Sequence, residues 1–322
     1  MKAIAMSGVG GPEVLRPVEL PMPTAGPDEL VVRVKAAGVN PIDYKLRKTG
    51  AMGAGAGTVL GFDVAGIVEQ VGPGVSDFKP GDAVYYSPDF SLPGAYAEFH
   101  LVHTRLVAPM PGNLSFEQAA ALPLAGTTAW EAIFNRGGVM VGQRVLIAGA
   151  NGGVGSLAVQ MGRATGAFVY ATCSTRSMDF VRSIPVAGPR GSNPGPDRVL
   201  NYQTEAWWDI IKAECPGGLD VVFDCAGQDV VSRAIPLMKP FGRIVTIVNP
   251  AGKLDEAYRR NVALHYSFLS RSRATLESLK TLAERGLLVP LIDRVMSLEE
   301  VAEAHRMLEA GVVKGKLVLT VS

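Results

Sequence analysis

Residues 145–155 read Val145-Leu146-Ile147-Ala148-Gly149-Ala150-Asn151-Gly152-Gly153-Val154-Gly155, an apolar run followed at once by a glycine-dense turn. The residues after this turn continue with apolar side chains at helical spacing. A strand, a glycine turn and a helix in this order predict the phosphate cradle of a dinucleotide-binding unit, because the free N–H groups of a helix N-terminus attract a pyrophosphate. In such a cradle Gly152 admits the pyrophosphate close to the backbone, and Gly155 lets the helix pack against the strand.

Ala150 stands where the common G-x-G-x-x-G pattern has its first glycine, so the match is A-x-G-x-x-G. A glycine pattern alone also fits a tight structural turn that binds no ligand, whereas the strand before it and the helix after it favour the cradle. The cofactor-binding residues expected in the turn are Ala150, Asn151, Gly152, Gly153, Val154 and Gly155.

Length and composition limit the classes of protein to consider. A chain of 322 residues is too long for one ordinary core and suggests two domains. Hydrophobic residues make up 48% and charged residues 19%, and the net charge of +1 gives no field that favours nucleic acid or a membrane surface. No apolar run approaches the roughly eighteen residues of a membrane span, and no secretory signal is visible. The three cysteines have no paired spacing, which indicates a reducing compartment, so we expect a cytoplasmic protein.

The period of the apolar residues changes along the chain. Up to about residue 110, short alternating runs broken by Gly and Pro predict the strands of an antiparallel or barrel-like domain. Ser115 and Gln118 form a capping-box pattern that opens a helix. Strands and helices then alternate, which predicts a parallel sheet wound on both faces. Strands are expected at 144–148, 167–172, 220–224, 243–248 and 262–268, and the tail after 270 is expected to return to the first domain.

Several short motifs occur in a fixed order and carry a family resemblance. They are Gly38-Val39-Asn40-Pro41-Ile42-Asp43-Tyr44, Gly61-Phe62-Asp63-Val64-Ala65-Gly66, Val71-Gly72-Pro73-Gly74, Phe78-Lys79-Pro80-Gly81-Asp82, the glycine turn and Gly315-Lys316-Leu317-Val318-Leu319. Together they resemble the zinc-independent quinone oxidoreductase branch of the medium-chain dehydrogenase/reductase superfamily. The resemblance implies an α/β fold in which a Rossmann-type doubly wound parallel sheet, residues 123–270, is inserted in a barrel-like (GroES-like), β-rich catalytic domain, residues 1–122 and 271–322.

Two positions of these motifs bear on metal binding. Zinc-dependent relatives place a cysteine where Asn40 stands and a histidine where Phe62 stands, and neither an amide nor a phenyl ring is a good zinc ligand. The segment 87–94 contains no cysteine of a structural zinc lobe, and the four histidines form no metal pattern. We therefore expect no metal. An enzyme without a Lewis acid suits an acceptor that is already electrophilic, such as a quinone or an α,β-unsaturated carbonyl.

The end of the second strand of the nucleotide-binding domain indicates the cofactor. An NAD-binding unit usually carries Asp or Glu there, about twenty residues after the glycine turn, to accept from the ribose 2′-hydroxyl. Here Ser174 takes that position and Arg176 follows two residues later, and a hydroxyl and a guanidinium suit a 2′-phosphate. Tyr202 resembles the family tyrosine that approaches the same phosphate. The expected cofactor is NADPH, with the alternative that Arg176 merely begins a solvated helix.

The resemblance also places candidate catalytic residues. It puts Asn40, Asp43 and Tyr44 near the cleft that receives the acceptor, with Thr127 and Asn249 close to the nicotinamide. Tyr44 is the best phenolic candidate to protonate the reduced acceptor, although water or a ribose hydroxyl could serve equally well. Asp43 is expected to orient other groups rather than to act as an acid, because an ordinary aspartate is ionised at pH 7.

These observations predict an NADPH-dependent oxidoreductase that delivers hydride to small-molecule quinones or enones, with no nucleic-acid or membrane partner. The alternative is a non-catalytic NADPH-binding structural or RNA-binding protein of the crystallin type. The strand-like run 262–269 predicts a homodimer formed by edge pairing, although such an edge can also be capped within the chain. The Pro- and Gly-rich run 184–197 predicts a long surface loop, from which Arg190 could reach the adenosine end or which could be a tolerated insertion.

Overall fold

A computed structural model describes residues 1–90, 93–189 and 194–321, so Arg190 lies outside the described residues. The strands are β1 (Lys2–Met6), β2 (Leu15–Glu19), β3 (Glu29–Val39), β4 (Val64–Val71), β5 (Ala83–Tyr86), β6 (Phe99–His103), β7 (Ala108–Pro109), β8 (Arg144–Ala148), β9 (Phe168–Cys173), β10 (Arg198–Asn201), β11 (Leu219–Asp224), β12 (Met238–Thr246), β13 (Ala263–Tyr266), β14 (Ile292–Ser297) and β15 (Lys316–Thr320). The α-helices are α1 (Pro41–Thr49), α2 (Phe116–Ala120), α3 (Pro123–Trp130), α4 (Gly153–Thr165), α5 (Met178–Arg182), α6 (Trp207–Glu214), α7 (Val230–Ala234), α8 (Glu256–Arg259), α9 (Arg273–Glu284) and α10 (Val301–Glu309).

The chain divides into two compact units. The first contains Met1–Leu124, Arg271–Glu284 and Pro290–Ser322, and the second contains Ala125–Ser270 and Arg285–Val289. The short run Arg285–Val289 clusters with the second unit, although the sequence boundaries put it in the first domain. It does so because the Gln160 side chain on α4 bonds the backbone of Val289 through both its amide nitrogen, at 2.9 Å, and its oxygen, at 2.7 Å.

The first unit is built around a seven-stranded sheet. Its order is β14-β15-β3-β4-β5-β7, and β6 also pairs with β3. The apolar strand β3 is central because it pairs antiparallel with β4, β6 and β15. In the last of these pairings Leu317 lies opposite Val39, so the next step of the register brings Lys316 towards Asn40. The predicted capping box begins α2, where the Ser115 hydroxyl accepts from the Gln118 N–H.

The second unit is a six-stranded sheet of parallel strands in the order β10-β9-β8-β11-β12-β13. Numbered within this unit, the order is 3-2-1-4-5-6, which is the Rossmann order. The apolar runs of the strands are buried, as parallel strands covered on both faces require. Residues from neighbouring strands share one core cluster, including Leu146, Tyr170, Leu200, Val222 and Ile244. The predicted α/β class with an inserted Rossmann-type sheet is confirmed.

Two strands of the second unit differ clearly from expectation: β10 was not predicted from the sequence, and β12 is longer than expected. β12 begins at Met238, five residues before the predicted start at 243. The sequence did not predict this extension because the strand is irregular at Phe241 and Gly242. Phe241 adopts a φ of 64°, and the register with β11 shifts between Leu219 and Val221. Residues 183–189 and 194–197 form no helix or strand, in keeping with the loop predicted for 184–197. Among the described helices, none combines the length and apolar character needed to cross a membrane.

Two glycines explain the sharp turn between β8 and α4. Gly149 has a φ of 78°, in the left-handed region that favours glycine. A Cβ atom at Gly155 would lie 2.3 Å from the carbonyl oxygen of Gly149. Any side chain at Gly155 would therefore push the first turn of α4 away from the turn that follows β8.

We predict that Gly155→Ala lowers the free energy of unfolding by about 1–3 kcal/mol, because the added methyl group overpacks a backbone contact. The matched control is Gly217→Ala, where a Cβ atom meets nothing within 4 Å and stability should stay equal or rise slightly. Denaturant unfolding of the full chain measures both variants. Equal stability of the two would show that the turn relaxes without cost.

Candidate active site

The glycine turn follows the carboxyl end of β8, the strand at the switch point of the sheet. The Ala150 N–H donates to the Thr172 carbonyl at the end of β9 at 3.1 Å, and the Gly152 N–H donates to the Gly149 carbonyl at 3.2 Å. These bonds fix the turn against the sheet. The helix α4 then begins at Gly153, and the first N–H groups of a helix have no partner within it. They form a site that suits an anion.

Gly152 has a different physical role from Gly155. Its φ of −82° is open to any residue, and a Cβ atom there would meet only the Gly149 carbonyl oxygen, at an ordinary 3.7 Å. Neither the backbone conformation nor the packing of the chain therefore requires a glycine at this position. The missing side chain leaves the backbone beside the helix N-terminus open, which is the property that a pyrophosphate-binding turn requires at this position.

The residues expected at the ribose lie at two neighbouring strand ends. Ser174 follows β9 and is 7% exposed, whereas Arg176 is exposed in a short 3-10 turn, Thr175–Ser177. Tyr202 follows β10, and its N–H donates to the Cys173 carbonyl at 3.1 Å. The parallel pairing of β9 with β10 thus brings Ser174, Arg176 and Tyr202 to the same edge of the sheet.

Two polar side chains that the sequence analysis missed fix the turn carrying Arg176. The Asn201 amide donates to the Thr175 hydroxyl at 2.8 Å, and the Gln203 side chain accepts from the Thr175 N–H at 3.0 Å. Both residues are adjacent to Tyr202 in the sequence, and this adjacency is the signal that could have identified them as part of the site. Asn249 is exposed beyond the carboxyl end of β12, on the same edge of the sheet, whereas Thr127 is buried on α3, before β8.

In the first unit, Asn40 and Asp43 lie at the start of α1. The Asn40 N–H donates to Asp43 Oδ2 at 2.6 Å. The Asn40 amide also donates to Asp63 Oδ2 at 2.8 Å, and Asp63 Oδ1 accepts from the Leu124 N–H at 2.6 Å. Asn40, Asp43 and Asp63 are all at most 2% exposed. The polar groups of the two family motifs therefore meet in the interior.

A buried lysine completes this group. Lys316 Nζ lies 2.9 Å from Asp63 Oδ2, 2.5 Å from Asn40 Oδ1 and 3.3 Å from the Val39 carbonyl oxygen. The sequence analysis did not select Lys316, although it stands in the last quoted motif. Its ammonium group thus binds the Asn40 side chain, at a position where the zinc-dependent relatives have a ligand. Within the described ranges, no three His, Cys, Asp or Glu side chains are grouped to hold a metal ion.

The environment of Asp43 changes its expected protonation. The carboxyl group is fully buried, Oδ2 accepts from the Tyr96 hydroxyl at 2.8 Å, and Oδ1 has no partner among the described residues. Burial raises the pKa of Asp43 from 3.8 to about 7, against the opposing effects of these hydrogen bonds and of Lys316. The assumption of an ordinary, fully ionised aspartate was wrong, because it left out desolvation.

A chain of buried groups continues from Asp43. The Tyr96 hydroxyl lies 3.4 Å from His305 Nε2, and His305 Nδ1 lies 3.4 Å from an Arg47 nitrogen. Arg47 in turn pairs with Glu309 on α10. Burial, with help from Arg47, lowers the pKa of His305 to about 3, so the ring is neutral at pH 7. Sequence reasoning could not identify this series of contacts, because its bonded partners lie up to 262 positions apart in the sequence.

Tyr44 is placed differently from its neighbours. It is half-buried on α1, one position after Asp43, and makes no hydrogen bond to the described part of the chain. Tyr44 is thus partly exposed to solvent, whereas Asp43 is fully buried. The catalytic roles given to Asn40, Asp43 and Tyr44 stay predictions.

Known proteins resemble the chain over nearly its whole length. Residues 195–319 match the family model described as zinc-binding dehydrogenase, and residues 26–112 match that of the alcohol dehydrogenase GroES-like domain. The 2-methylene-furan-3-one reductase of Solanum lycopersicum is 33% identical over 99% of this chain and 79% of that protein. The quinone oxidoreductase of Mus musculus is 32% identical over 99% of this chain and 97% of that protein. The solved quinone oxidoreductase from Coxiella burnetii is 32% identical and aligns with a TM-score of 0.88 over 100% of this chain and 99% of its own.

The pKa of Asp43 predicts how stability depends on pH. A carboxyl group whose pKa rises from 3.8 in the unfolded chain to about 7 in the folded chain stabilises the fold fully below pH 3.8. This contribution is lost as the pH rises towards 7, by roughly 1.4 kcal/mol for each unit of pKa difference. Asp43→Asn, which mimics the protonated side chain, should remove this slope. Denaturant unfolding of both proteins from pH 4 to pH 8 measures it, and parallel curves would contradict the raised pKa.

Proposed function

The chain belongs to the quinone oxidoreductase branch of the medium-chain dehydrogenase/reductase superfamily, and on this premise we propose that it reduces quinones or α,β-unsaturated carbonyls with NADPH and without a metal ion. The observation that carries the proposal is the glycine turn at the switch point of the sheet. Neither the backbone conformation nor the packing of the chain requires a glycine at position 152 of this turn. The names of the tomato and mouse relatives support the acceptor classes.

The choice of NADPH rests on the residues that follow β9 and β10, the second and third strands of the Rossmann sheet in chain order. Ser174 and Arg176 after β9 and Tyr202 after β10 offer hydroxyl and guanidinium donors, and β9 ends without the carboxylate that would repel a 2′-phosphate. When bound, NADPH supplies the hydride. The residues 150–155 hold its pyrophosphate, Ser174, Arg176 and Tyr202 hold its 2′-phosphate, and Asn249 and Thr127 serve the nicotinamide end.

The absence of metal chemistry rests on the donor set of the first unit. Asn40 and Phe62 replace the cysteine and histidine ligands of zinc-dependent relatives, and Lys316 binds Asn40 and Asp63 with its ammonium group. A divalent ion at these residues would have to displace a buried cation. The match to the family model described as zinc-binding dehydrogenase covers residues 195–319 and so includes neither Asn40 nor Phe62.

The residues of α1 have distinct roles in this proposal. The reduced acceptor gains negative charge on oxygen and needs a hydrogen-bond donor and a proton. Tyr44, with its half-buried hydroxyl, donates to that oxygen. Asn40 and Asp43 position the start of α1 through the bond from the Asn40 N–H to the Asp43 carboxyl group.

The proposal includes a homodimer in the cytoplasm. The edge strand β13 pairs with β12 on one side, and Tyr266 and Phe268 beside it are 62% and 63% exposed. Pairing of two copies along β13 would cover these rings. Light scattering at micromolar concentration tests the dimer. The three free cysteines are consistent with a reducing compartment.

The direct test is a spectrophotometric assay of NADPH oxidation with a simple quinone and a simple enone. We expect turnover with at least one of them, less than one zinc per chain by elemental analysis, and full activity after prolonged treatment with a chelator. Activity that a chelator removes and zinc restores would overturn the metal-free mechanism. Tight NADPH binding without reduction of either acceptor would favour the non-catalytic, crystallin-like alternative.

We predict that Arg176→Ala lowers kcat/KM for NADPH about ten- to a hundredfold, because a charge-assisted hydrogen bond contributes about 1.5–3 kcal/mol. The value for NADH should hardly change, since NADH has no 2′-phosphate. High salt should weaken the preference of the wild type, because Arg176 is exposed. Arg182→Ala on the following helix α5 is the control: Arg182 is 59% exposed, lies 3.5 Å from Asp179 and should not affect selectivity. Equal losses with both cofactors would assign Arg176 a structural role.

A further inference from the structure

Asp224 ends β11, beside the switch point of the Rossmann sheet. In the parallel register it lies level with Ala148, the last residue of β8, on one side and with Thr246, the last residue of β12, on the other. The strand order divides the sheet between β8 and β11, and dinucleotides bind across the crevice outside the carboxyl ends of the strands there. Asp224 is 0% exposed, so its side chain acts within the fold and not directly on a ligand.

One oxygen of the Asp224 carboxylate holds the turn that follows β11. Oδ1 accepts from the N–H groups of Ala226, at 2.9 Å, and of Gly227, at 2.8 Å. This turn lies against the glycine turn that follows β8, because a Cβ atom at Gly149 would be 3.5 Å from the Ala226 Cβ atom. A buried carboxylate thus fixes the backbone of residues 225–227, including the exposed Ala226, at the edge of the crevice.

The other oxygen of the same carboxylate holds the turn that follows β12. Thr246 Oγ1 lies 3.0 Å from Asp224 Oδ2, and the hydroxyl is the donor, because a carboxylate can only accept. The Val248 carbonyl oxygen, 2.9 Å from the hydroxyl, is the weaker, uncharged acceptor for the same proton. Thr246 Oγ1 also accepts from the Val248 N–H at 3.3 Å, and the exposed Asn249 follows directly. The backbone that carries Asn249 is therefore tied through Thr246 to Asp224.

The turns after β11 and β12 also touch each other. Gly227 has a φ of 77°, and a Cβ atom there would lie 3.2 Å from Val248 Cγ2. Further along, the Ala251 N–H donates to the Gln228 carbonyl at 2.6 Å. The two turns therefore form one packed pair, and Asp224 bonds both members of it.

We propose that Asp224, acting with Thr246, is a positioning residue for the nicotinamide half of a dinucleotide bound at the switch point. A Rossmann sheet consists of two mononucleotide-binding halves. The residues proposed to hold the 2′-phosphate follow β9 and β10, in one half, whereas the turns that Asp224 holds belong to the other half, which consists of β11, β12 and β13. Turns that are already ordered lose less conformational freedom when a ligand binds. The inference rests on the proposed function for the presence of a nicotinamide dinucleotide at this edge.

The binding test compares two nucleotides by isothermal titration calorimetry. NADPH has both halves, whereas adenosine 2′,5′-bisphosphate carries the 2′-phosphate but no nicotinamide. Asp224→Ala removes the acceptor of two backbone N–H groups and should weaken NADPH binding at least about tenfold, while leaving adenosine 2′,5′-bisphosphate unchanged. Thr246→Val, which removes only the hydroxyl group, should have the same effect to a smaller extent. Thr246→Ser, which keeps the hydroxyl group, should bind NADPH as the wild type does.

The matched control lies at the opposite end of the same strand. Asp220 accepts from the Arg144 N–H at 2.8 Å and pairs with Lys239 Nζ at 2.8 Å, near the amino end of β11. Asp220→Ala should lower the stability of the fold and leave both nucleotide affinities unchanged. If thermal unfolding shows that Asp224→Ala is not folded, Thr246→Val and Thr246→Ser replace it.

Asp224→Asn separates position from charge. Its amide oxygen can still accept from the two N–H groups of the turn, and its amide nitrogen can donate to Thr246 Oγ1, whose proton then goes to the Val248 carbonyl oxygen. This variant should retain most of the NADPH affinity that Asp224→Ala loses. An asparagine variant as weak as the alanine variant would assign the effect to the charge of Asp224 and overturn the positioning role.

The results separate this inference from the proposed function. Wild-type NADPH affinity in folded Asp224→Ala and Thr246→Val would overturn the inference, even with full reductase activity. Equal losses of NADPH and adenosine 2′,5′-bisphosphate would also overturn it, because the damage would then reach both halves of the sheet. A wild type that binds NADPH but reduces no quinone or enone would contradict the proposed activity, whereas weaker NADPH binding in Asp224→Ala would still support the inference. Failure of the wild type to bind NADPH or NADH would contradict both.

Discussion

The ion pair between Lys316 and Asp63 holds together the sequence-distant parts of the first unit. Lys316 begins the last strand and Asp63 stands just before β4, and the two side chains are 6% and 0% exposed. Removing either partner would leave an unpaired buried charge, which is far more costly than the pair itself. The antiparallel register of β15 on β3 is therefore tied to the position of Asn40, which bonds both charged groups.

The ion pair between Lys316 and Asp63 explains why the pKa of Asp43 is raised in the interior of the first unit. Asp43 and Asp63 face a single ammonium group, and Asp63 binds it directly. Asp43 is left with hydrogen bonds from the Asn40 N–H and the Tyr96 hydroxyl, and these do not fully offset its burial. Its proton is therefore held near neutral pH. The positive charge beside Asn40 and Asp63 comes from the chain itself, from Lys316 at the start of its last strand.

Two glycines at the start of α4 have different physical roles. In the Rossmann sheet, packing within the chain requires the glycine at position 155, whereas it does not require the glycine at position 152. The stability of the folded chain alone therefore does not account for the glycine at position 152.

The sequence by itself determined the Rossmann sheet apart from its edge strand β10, the glycine turn between β8 and α4, and the family. Each rests on local signals: the apolar period, the glycine spacing at 149–155 and motifs that are contiguous in the chain. It placed Ser174 and Arg176 after the second strand of this sheet, where the structure has them, but it did not predict β10, the strand that Tyr202 follows. Only the tertiary structure decided that Lys316 neutralises Asp63 and that Asp43 keeps its proton to about pH 7. It alone also decided that Arg271 lies on Phe90, with no hydrogen-bond partner for Nε and Nη2 among the described residues. Those properties depend on burial and on contacts between residues far apart in the chain, and desolvation, which shifts a pKa or leaves a donor unsatisfied, is set by the whole packed unit.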